Sequence, residues 1–213
     1  MIFDLRDLQT VTSLKITGAI HVGAFLGEEL SQYRSLGLSN TILFEPQKKL
    51  YDLVIARCID KECIFNTALG SKEDTLEMFI SDREGGVSNG AGASSSILAP
   101  KKHLTEHPEV TFPSRETISV KRFDEFIENN NIDISDHNFL NIDVQGYELE
   151  VLKGMGDQLN KIQLAIIEVN RDEVYESCPM IEDIDLYLEG FGFERLAVEW
   201  QSESWGDAIY VKH

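Results

Sequence analysis

The chain is 213 residues long and 42% hydrophobic, enough to bury one sizeable core between a sheet and two helix layers but too little for a second full domain, so residues 1–213 are expected to form one unit. Its 19 basic and 37 acidic residues give a formal charge of -18, which opposes binding to phosphate backbones where no basic patch overrides it; the densest basic spots are only Lys101-Lys102 and Lys121-Arg122, and nucleic acid is not an expected partner. Cys58, Cys63 and Cys178 lack CxxC spacing, which argues against a disulfide framework or a zinc site, and no apolar run approaches the ~18 residues of a membrane span or forms a signal peptide, so a cytoplasmic chain without membrane contact is expected.

Taken in order, AIHVGA at 19–24 reads as a first strand running into the turn His21-Val22-Gly23-Ala24-Phe25-Leu26-Gly27. Gly23 lets the backbone turn tightly from strand to helix, and the helix N-terminus then offers amides to a carboxylate or other polar ligand. Glu28 and Glu29 fit the opening turn of that helix, with Leu26, Leu30 and Tyr33 at helical spacing. TILFE at 41–45 is the second strand, stopped by Pro46. Its closing residue, Glu45, stands 22 residues after Gly23, where an acid accepts hydrogen bonds from the ribose hydroxyls of a nucleoside cofactor. That pair alone does not separate NAD from S-adenosylmethionine, but the three-glycine turn that accommodates a pyrophosphate is missing.

Residues 47–58 read as a second helix and CIFNTAL at 63–69 as a third strand. The stretch 84–99, EGGVSNGAGASSSILA, is too rich in glycine and serine for regular structure, and a loop of that length inside a compact domain is usually functional or disordered. After a helix at 122–130, the strand NFLNID at 138–143 places Asp143 at the rim of the crevice where ligands of open α/β sheets bind; it can hold transfer geometry, act as a base, or cap the next helix at 147–154. LAIIEV at 164–169 buries Glu168 in an apolar run, which requires a partner: a ligand, or a salt bridge to Arg171 or Arg195. A helix at 181–189 follows. The last strands, FERLAVEW and AIYVK, are separated only by QSESWGD and must pair antiparallel. The expected fold is therefore α/β and Rossmann-like, a seven-stranded, mostly parallel sheet with a C-terminal antiparallel hairpin and helices on both faces, as in class I methyltransferases.

Several segments together resemble the FkbM family of methyltransferases: HVGAFLG at 21–27, LFEP at 43–46, NTALG at 66–70, SSSI at 94–97, FLNIDVQGYELEVLKGM at 139–155, IIEVN at 166–170 and WGDAIYVK at 205–212. Two positions depart from the pattern, His21 where the family often has an acid and Gln145 where glutamate is common. The resemblance implies S-adenosylmethionine as cofactor, its methionine part on Gly23 and Ala24 beside His21, its ribose on Glu45 with Pro46, its adenine near Ala68 and Leu69, and the loop around Ser95 closing over the site. It also implies methyl transfer to a hydroxyl of a sugar or glycosylated metabolite. Such a transfer needs an aligned acceptor oxygen and a base for its proton; at the strand ends Asp143 or Glu168 is expected to take the proton and Asn170 and Gln145 to orient the acceptor. No N/D-P-P-Y/F follows the fourth strand, which speaks against exocyclic amines of bases. Asp143, Glu168 and Asn170 are oxygen donors, yet too sparse a set for a metal site to be expected. The alternative is a non-catalytic module of the same fold that recruits partners.

Overall fold

The computed structural model describes residues 3–38, 40–59 and 62–213. A seven-stranded sheet lies at its centre, built from β1 (Ala19–Val22), β2 (Thr41–Phe44), β3 (Glu62–Phe65), β7 (Phe139–Ile142), β8 (Leu164–Asn170), β9 (Phe193–Trp200) and β10 (Trp205–Lys212) in the spatial order β3-β2-β1-β7-β8-β10-β9. The first five run parallel, while β10 lies antiparallel to both β8 and β9. This is the expected sheet with its C-terminal hairpin.

Parallel strands covered on both faces read as continuous apolar runs, and every residue of β8, LAIIEVN, is buried. Ile20, Ile42, Leu140 and Ile167 project to one face, against α5 (Phe123–Asn129), α6 (Glu148–Met155) and α7 (Ile181–Glu189). Ala19, Leu43, Phe139 and Ile166 project to the other, against α1 (Leu5–Thr12), α2 (Leu30–Ser35) and α3 (Lys48–Ile55). From β1 the chain steps outward to β2 and β3, then returns to place β7 on the other side of β1. The topological switch point thus lies between β1 and β7, and a crevice opens beyond their carboxyl ends.

The helices at 122–130, 147–154 and 181–189 form within a residue or two of expectation, as α5, α6 and α7, and the helix expected at 47–58 is the shorter α3. Four other expectations are corrected. α2 starts only at Leu30, so Glu28 precedes the helix and Glu29 is its N-cap. The run 63–69 is two strands, β3 and β4 (Ala68–Leu69), because Asn66 turns the chain, its side-chain amide donating to the carbonyls of Glu45 (3.0 Å) and Pro46 (2.8 Å). A second, three-stranded sheet, β4-β6-β5, is formed with β5 (Asp74–Arg83) and β6 (Val110–Lys121), beside the one sheet expected. Finally, residues 84–99 carry a 3₁₀ turn at Val87–Asn89 and are tied to β5 by a bridge between Phe79 and Ser96. A short helix, α4 (His103–Glu106), lies between β5 and β6. No helix among the described residues is long and apolar enough to cross a membrane.

Candidate active site

A cavity of about 350 Å³ opens at the carboxyl ends of β1, β2 and β7, within the size range of small-molecule sites. β1 delivers its floor. Gly23 has φ +87°, and a Cβ there would lie 1.8 Å from the carbonyl oxygen of Asp143, so only glycine lets the ends of β1 and β7 come this close. The amides of Gly23 and Ala24 both donate to the carbonyl of Phe44 at 3.0 Å, and that of Phe25 donates to Glu45 Oε2 at 2.9 Å. The expectation that this turn offers its amides to a ligand is therefore corrected at these three residues: they lock β1 to β2, and Gly23 and Ala24 shape the floor.

Glu45 follows β2 and is buried. Its Oε1 accepts the Gln47 amide at 2.8 Å and its Oε2 the Phe25 amide. A carboxylate has about four acceptor positions, so roughly half of its capacity stays open on a residue that lines the cavity. Burial pushes its pKa up to about 8, against the pull of those two amides. Pro46, Ala68 and Leu69 line the same side. Met78 on β5 joins them, a residue that escaped the sequence reading with its whole strand. The segment 84–99 covers the cavity from above: Gln47 Nε2 donates to the carbonyl of Gly92 at 3.0 Å, and Ser95 Oγ bridges the Ser81 amide (2.9 Å) and Gln47 Oε1 (3.3 Å). The Ser95 hydroxyl thus serves to hold the cover in place.

His21 lies on the cavity wall but is buried, with Nδ1 3.3 Å from the Tyr33 hydroxyl and Nε2 3.2 Å from the side-chain nitrogen of Asn141. Burial lowers its pKa, which keeps it neutral.

Beyond β7 the chain makes a tight turn through two left-handed residues, Gln145 (φ +58°) and Gly146 (φ +97°). A non-glycine residue in that region is unusual and costs free energy unless its surroundings hold it. Here the surroundings do. Gln145 Nε2 donates to Asp143 Oδ1 at 2.7 Å and to Glu168 Oε2 at 2.5 Å, Gln145 Oε1 accepts the Tyr175 hydroxyl at 2.8 Å, and its carbonyl accepts Ser96 Oγ at 2.6 Å. The amide therefore bridges two carboxylates. Burial and the neighbouring charge of Asp143 raise the pKa of Glu168 well above the carboxylate range, as expected of two acids sharing one site.

The alternatives left open by the sequence resolve here. Asp143 does not cap the helix after β7, whose N-cap is Tyr147 without a side-chain cap; Glu148 Oε1 instead ties the preceding turn, accepting the amides of Val144 (3.1 Å) and Gly146 (3.0 Å). Glu148 is fully buried, which pushes it up to about 7. Glu168 pairs with neither arginine: Arg195 holds Asp185 at 3.1 Å, and Arg171 stacks on Trp200 at 4.4 Å. Asp143 and Gln145 line the cavity, whereas Glu168 and Asn170 are buried outside its lining, and neither amide atom of Asn170 has a partner among the described residues. Among those residues no three His, Cys, Asp or Glu side chains could hold a metal ion.

Glu148, Gln47, Asp207 and the Tyr175 hydroxyl are the site groups that the sequence did not assign. Only Glu148 carried a signal, as an acid inside the IDVQGYE run.

This sheet order, with an acid closing β2 and a cavity over the β1/β7 switch point, is that of the Rossmann-like class I methyltransferases. The chain belongs to the FkbM methyltransferase family, a family of S-adenosylmethionine-dependent enzymes: the model described as "Methyltransferase FkbM domain" matches residues 21–195. A curated relative, 2-O-methyltransferase NoeI of Sinorhizobium fredii, is 32% identical over 122 residues, which are 52% of this chain and 49% of that protein; the chain thus spans about half the length of the curated relative it matches. Among solved structures, a protein in the NADB-Rossmann superfamily from Streptococcus agalactiae superposes with a TM-score of 0.51 at 11% identity, covering 100% of this chain and 69% of that one. A SAM-dependent methyltransferase from Aquifex aeolicus gives a TM-score of 0.48 at 12% identity, with 100% and 91% covered.

Proposed function

We propose that the chain is a single-domain, cytoplasmic O-methyltransferase that binds S-adenosylmethionine in this cavity and methylates a hydroxyl of a sugar or glycosylated metabolite. The observation that carries the proposal is the placement of Glu45 and Asp143 on two walls of one cavity at the switch point. Glu45, with hydrogen-bonding capacity left toward the cavity, suits the two vicinal hydroxyls of a ribose, which donate and accept. Ala68, Leu69 and Met78 give an apolar slot for an adenine, and the floor at Gly23 and Ala24 leaves room for the amino-acid part.

When bound, S-adenosylmethionine supplies a methyl group activated by a positively charged sulfur. The chain's own part is to align an acceptor oxygen and to receive its proton. Asp143 is the base: it faces the cavity, and the Gln145 amide fixes its carboxylate. Glu168, behind that amide, helps position Asp143 through the Gln145 bridge that both share. Gln145 holds both and cannot turn, because Tyr175 donates to its oxygen. Asn170 lies buried outside the cavity lining with both amide atoms unpartnered among the described residues, so orienting the acceptor falls to Gln145 rather than to it.

The relative named a 2-O-methyltransferase supports a hydroxyl acceptor, and the acidic character of the chain favours one without phosphates. The proposal is tested by supplying methyl-labelled S-adenosylmethionine with neutral oligosaccharides, nucleic acid and protein in parallel. Alkali-stable label on the oligosaccharides, reduced by about 10²-fold or more in Asp143→Asn, is the expected outcome. Label on a base amine or in alkali-labile esters contradicts the hydroxyl assignment.

A further inference from the structure

Among the described residues, five other than glycine have a left-handed backbone: Ser13, Phe25, Asn131, Gln145 and Ser177. Ser13, Asn131 and Ser177 are short, polar and exposed, and Gln145 is held by the four partners described above. Phe25, at φ +46°, is the one bulky apolar residue of the set. For such a residue this conformation is an outlier that persists only where the surroundings over-determine it. They do so here through the backbone alone. The Phe25 amide donates to Glu45 Oε2 (2.9 Å), the Leu26 carbonyl accepts Arg57 Nη1 (2.8 Å), and the Gly27 amide closes on the Ala24 carbonyl (2.6 Å). Glycine or asparagine would make the same turn with less strain. The ring is not explained by packing either. Phe25 is half-buried, belongs to none of the hydrophobic clusters, and has no ring or cation against it among the described residues. What it lines is the cavity.

We infer that Phe25 is a ligand-contact residue, whose ring forms an apolar wall against the bound nucleoside, and that the chain carries the strain of this turn for the sake of that contact. The inference rests on the cofactor reading above. Phe25 adjoins both parts of the site which that reading uses: it follows Ala24 of the floor, and its amide holds Glu45, the partner of the ribose. A flat ring there covers apolar surface of the ligand and excludes water from it, a contribution that grows with the area covered. The residue thus divides its work. Its backbone fixes the carboxylate that receives the ribose, and its side chain packs on the ligand itself. Truncating a core side chain lowers stability. Removing this ring should instead lower affinity, and where the new residue suits a left-handed backbone the unliganded chain should lose no stability.

Two substitutions in the full chain separate the ring from the strain. Phe25→Asn removes the ring and suits the left-handed backbone, whereas Phe25→Ala removes the ring and keeps the strain. Because the two differ in what they ask of the turn, a loss of affinity common to both belongs to the ring. Isothermal titration calorimetry with S-adenosylhomocysteine, beside thermal unfolding without ligand, reads both quantities. Each variant is expected to bind about tenfold more weakly than the unaltered chain, and Phe25→Asn to melt at least as high as the unaltered chain and higher than Phe25→Ala. Binding by both variants as tight as that of the unaltered chain overturns the inference and leaves the cofactor reading standing. A melting temperature of Phe25→Asn below that of the unaltered chain also overturns it, by showing the ring to be part of the packing. No binding by the unaltered chain defeats the cofactor reading and this inference with it.

Discussion

Replacing Gly23 by alanine perturbs the site at its narrowest point. The added Cβ would sit 1.8 Å from the Asp143 carbonyl oxygen, 2.8 Å from its carbon and 3.3 Å from Val144 Cγ1. The first two are backbone atoms in a strand end that cannot swing aside as a flexible side chain would, so β7 must retreat from β1 by more than about 1 Å to restore ordinary packing. The left-handed conformation at φ +87° adds about 1–2 kcal/mol for a residue with a Cβ, and forced overpacking about 1–3 kcal/mol more. A cost near 3–4 kcal/mol corresponds to a melting point lower by roughly 10 °C for a chain of this size. Gly37 provides the control, since it also has positive φ (+76°) but nothing lies within 4 Å of its would-be Cβ. Gly37→Ala should cost only about 1 kcal/mol. Thermal and urea unfolding of both variants, with S-adenosylhomocysteine titrated into each, should show Gly23→Ala clearly less stable and deficient in binding, and Gly37→Ala binding normally. Equal stability and equal binding in the two variants would refute the close approach of β1 and β7 as the basis of the site.

The remaining predictions concern the polar groups around the cavity. Glu45 and Glu148, pushed up to about 8 and about 7, together with Glu168, raised well above the carboxylate range by burial and the neighbouring Asp143, hold more protons in the native chain than in the unfolded one, so stability must fall as pH rises through the upper part of their range. The buried neutral histidines His21, His103 and His137 act in the opposite sense, but below about pH 7, where unfolded histidine still binds protons. Between pH 7 and 8.5 the carboxylates dominate, and urea unfolding should show a loss of about 1 kcal/mol or more; stability constant or rising over that window would contradict the burial of ionisable acids at the site. Tyr175→Phe removes donation to Gln145 Oε1 and to the carbonyl of Ser94 (2.9 Å). It should cost about 1–2 kcal/mol and speed amide hydrogen exchange in residues 84–99; unchanged exchange there would show that the hydroxyl does not hold the cover.

Much of the fold was legible because the central strands obey simple rules. β8 is a run of apolar residues bounded by polar ones, and the segment before β10 is too short for a crossover, so parallel core and antiparallel ending both follow from the sequence. The second sheet was not legible as a whole. β6 carries Pro113 and exposes most of its middle, Ser114 and Arg115 included, because it packs on only one side. Its alternation does survive in part: Leu76, Met78 and Ile80 on β5 share a small cluster with Ile118 and Val120, a period of two that marks a half-buried strand. At the site, Gly23, Glu45 and Asp143 announced themselves by residue type and position at strand ends. Glu148 was marked only as an acid inside the IDVQGYE run and not by its position, since a glutamate in the first turn of a helix is favourable there without any further role. The clamp on Gln145 was equally hidden, because its four partners, Asp143, Glu168, Tyr175 and Ser96, come together only through the tertiary fold.

The central claim is that the cavity over β1, β2 and β7 holds S-adenosylmethionine through Glu45. Calorimetric titration of S-adenosylhomocysteine into the unaltered chain and into Glu45→Ala tests it most directly. Micromolar binding by the former, weakened by about 10-fold or more in the latter as two hydrogen bonds to the ribose are lost, is the predicted result. No binding by the unaltered chain, or equal binding by both, would contradict it.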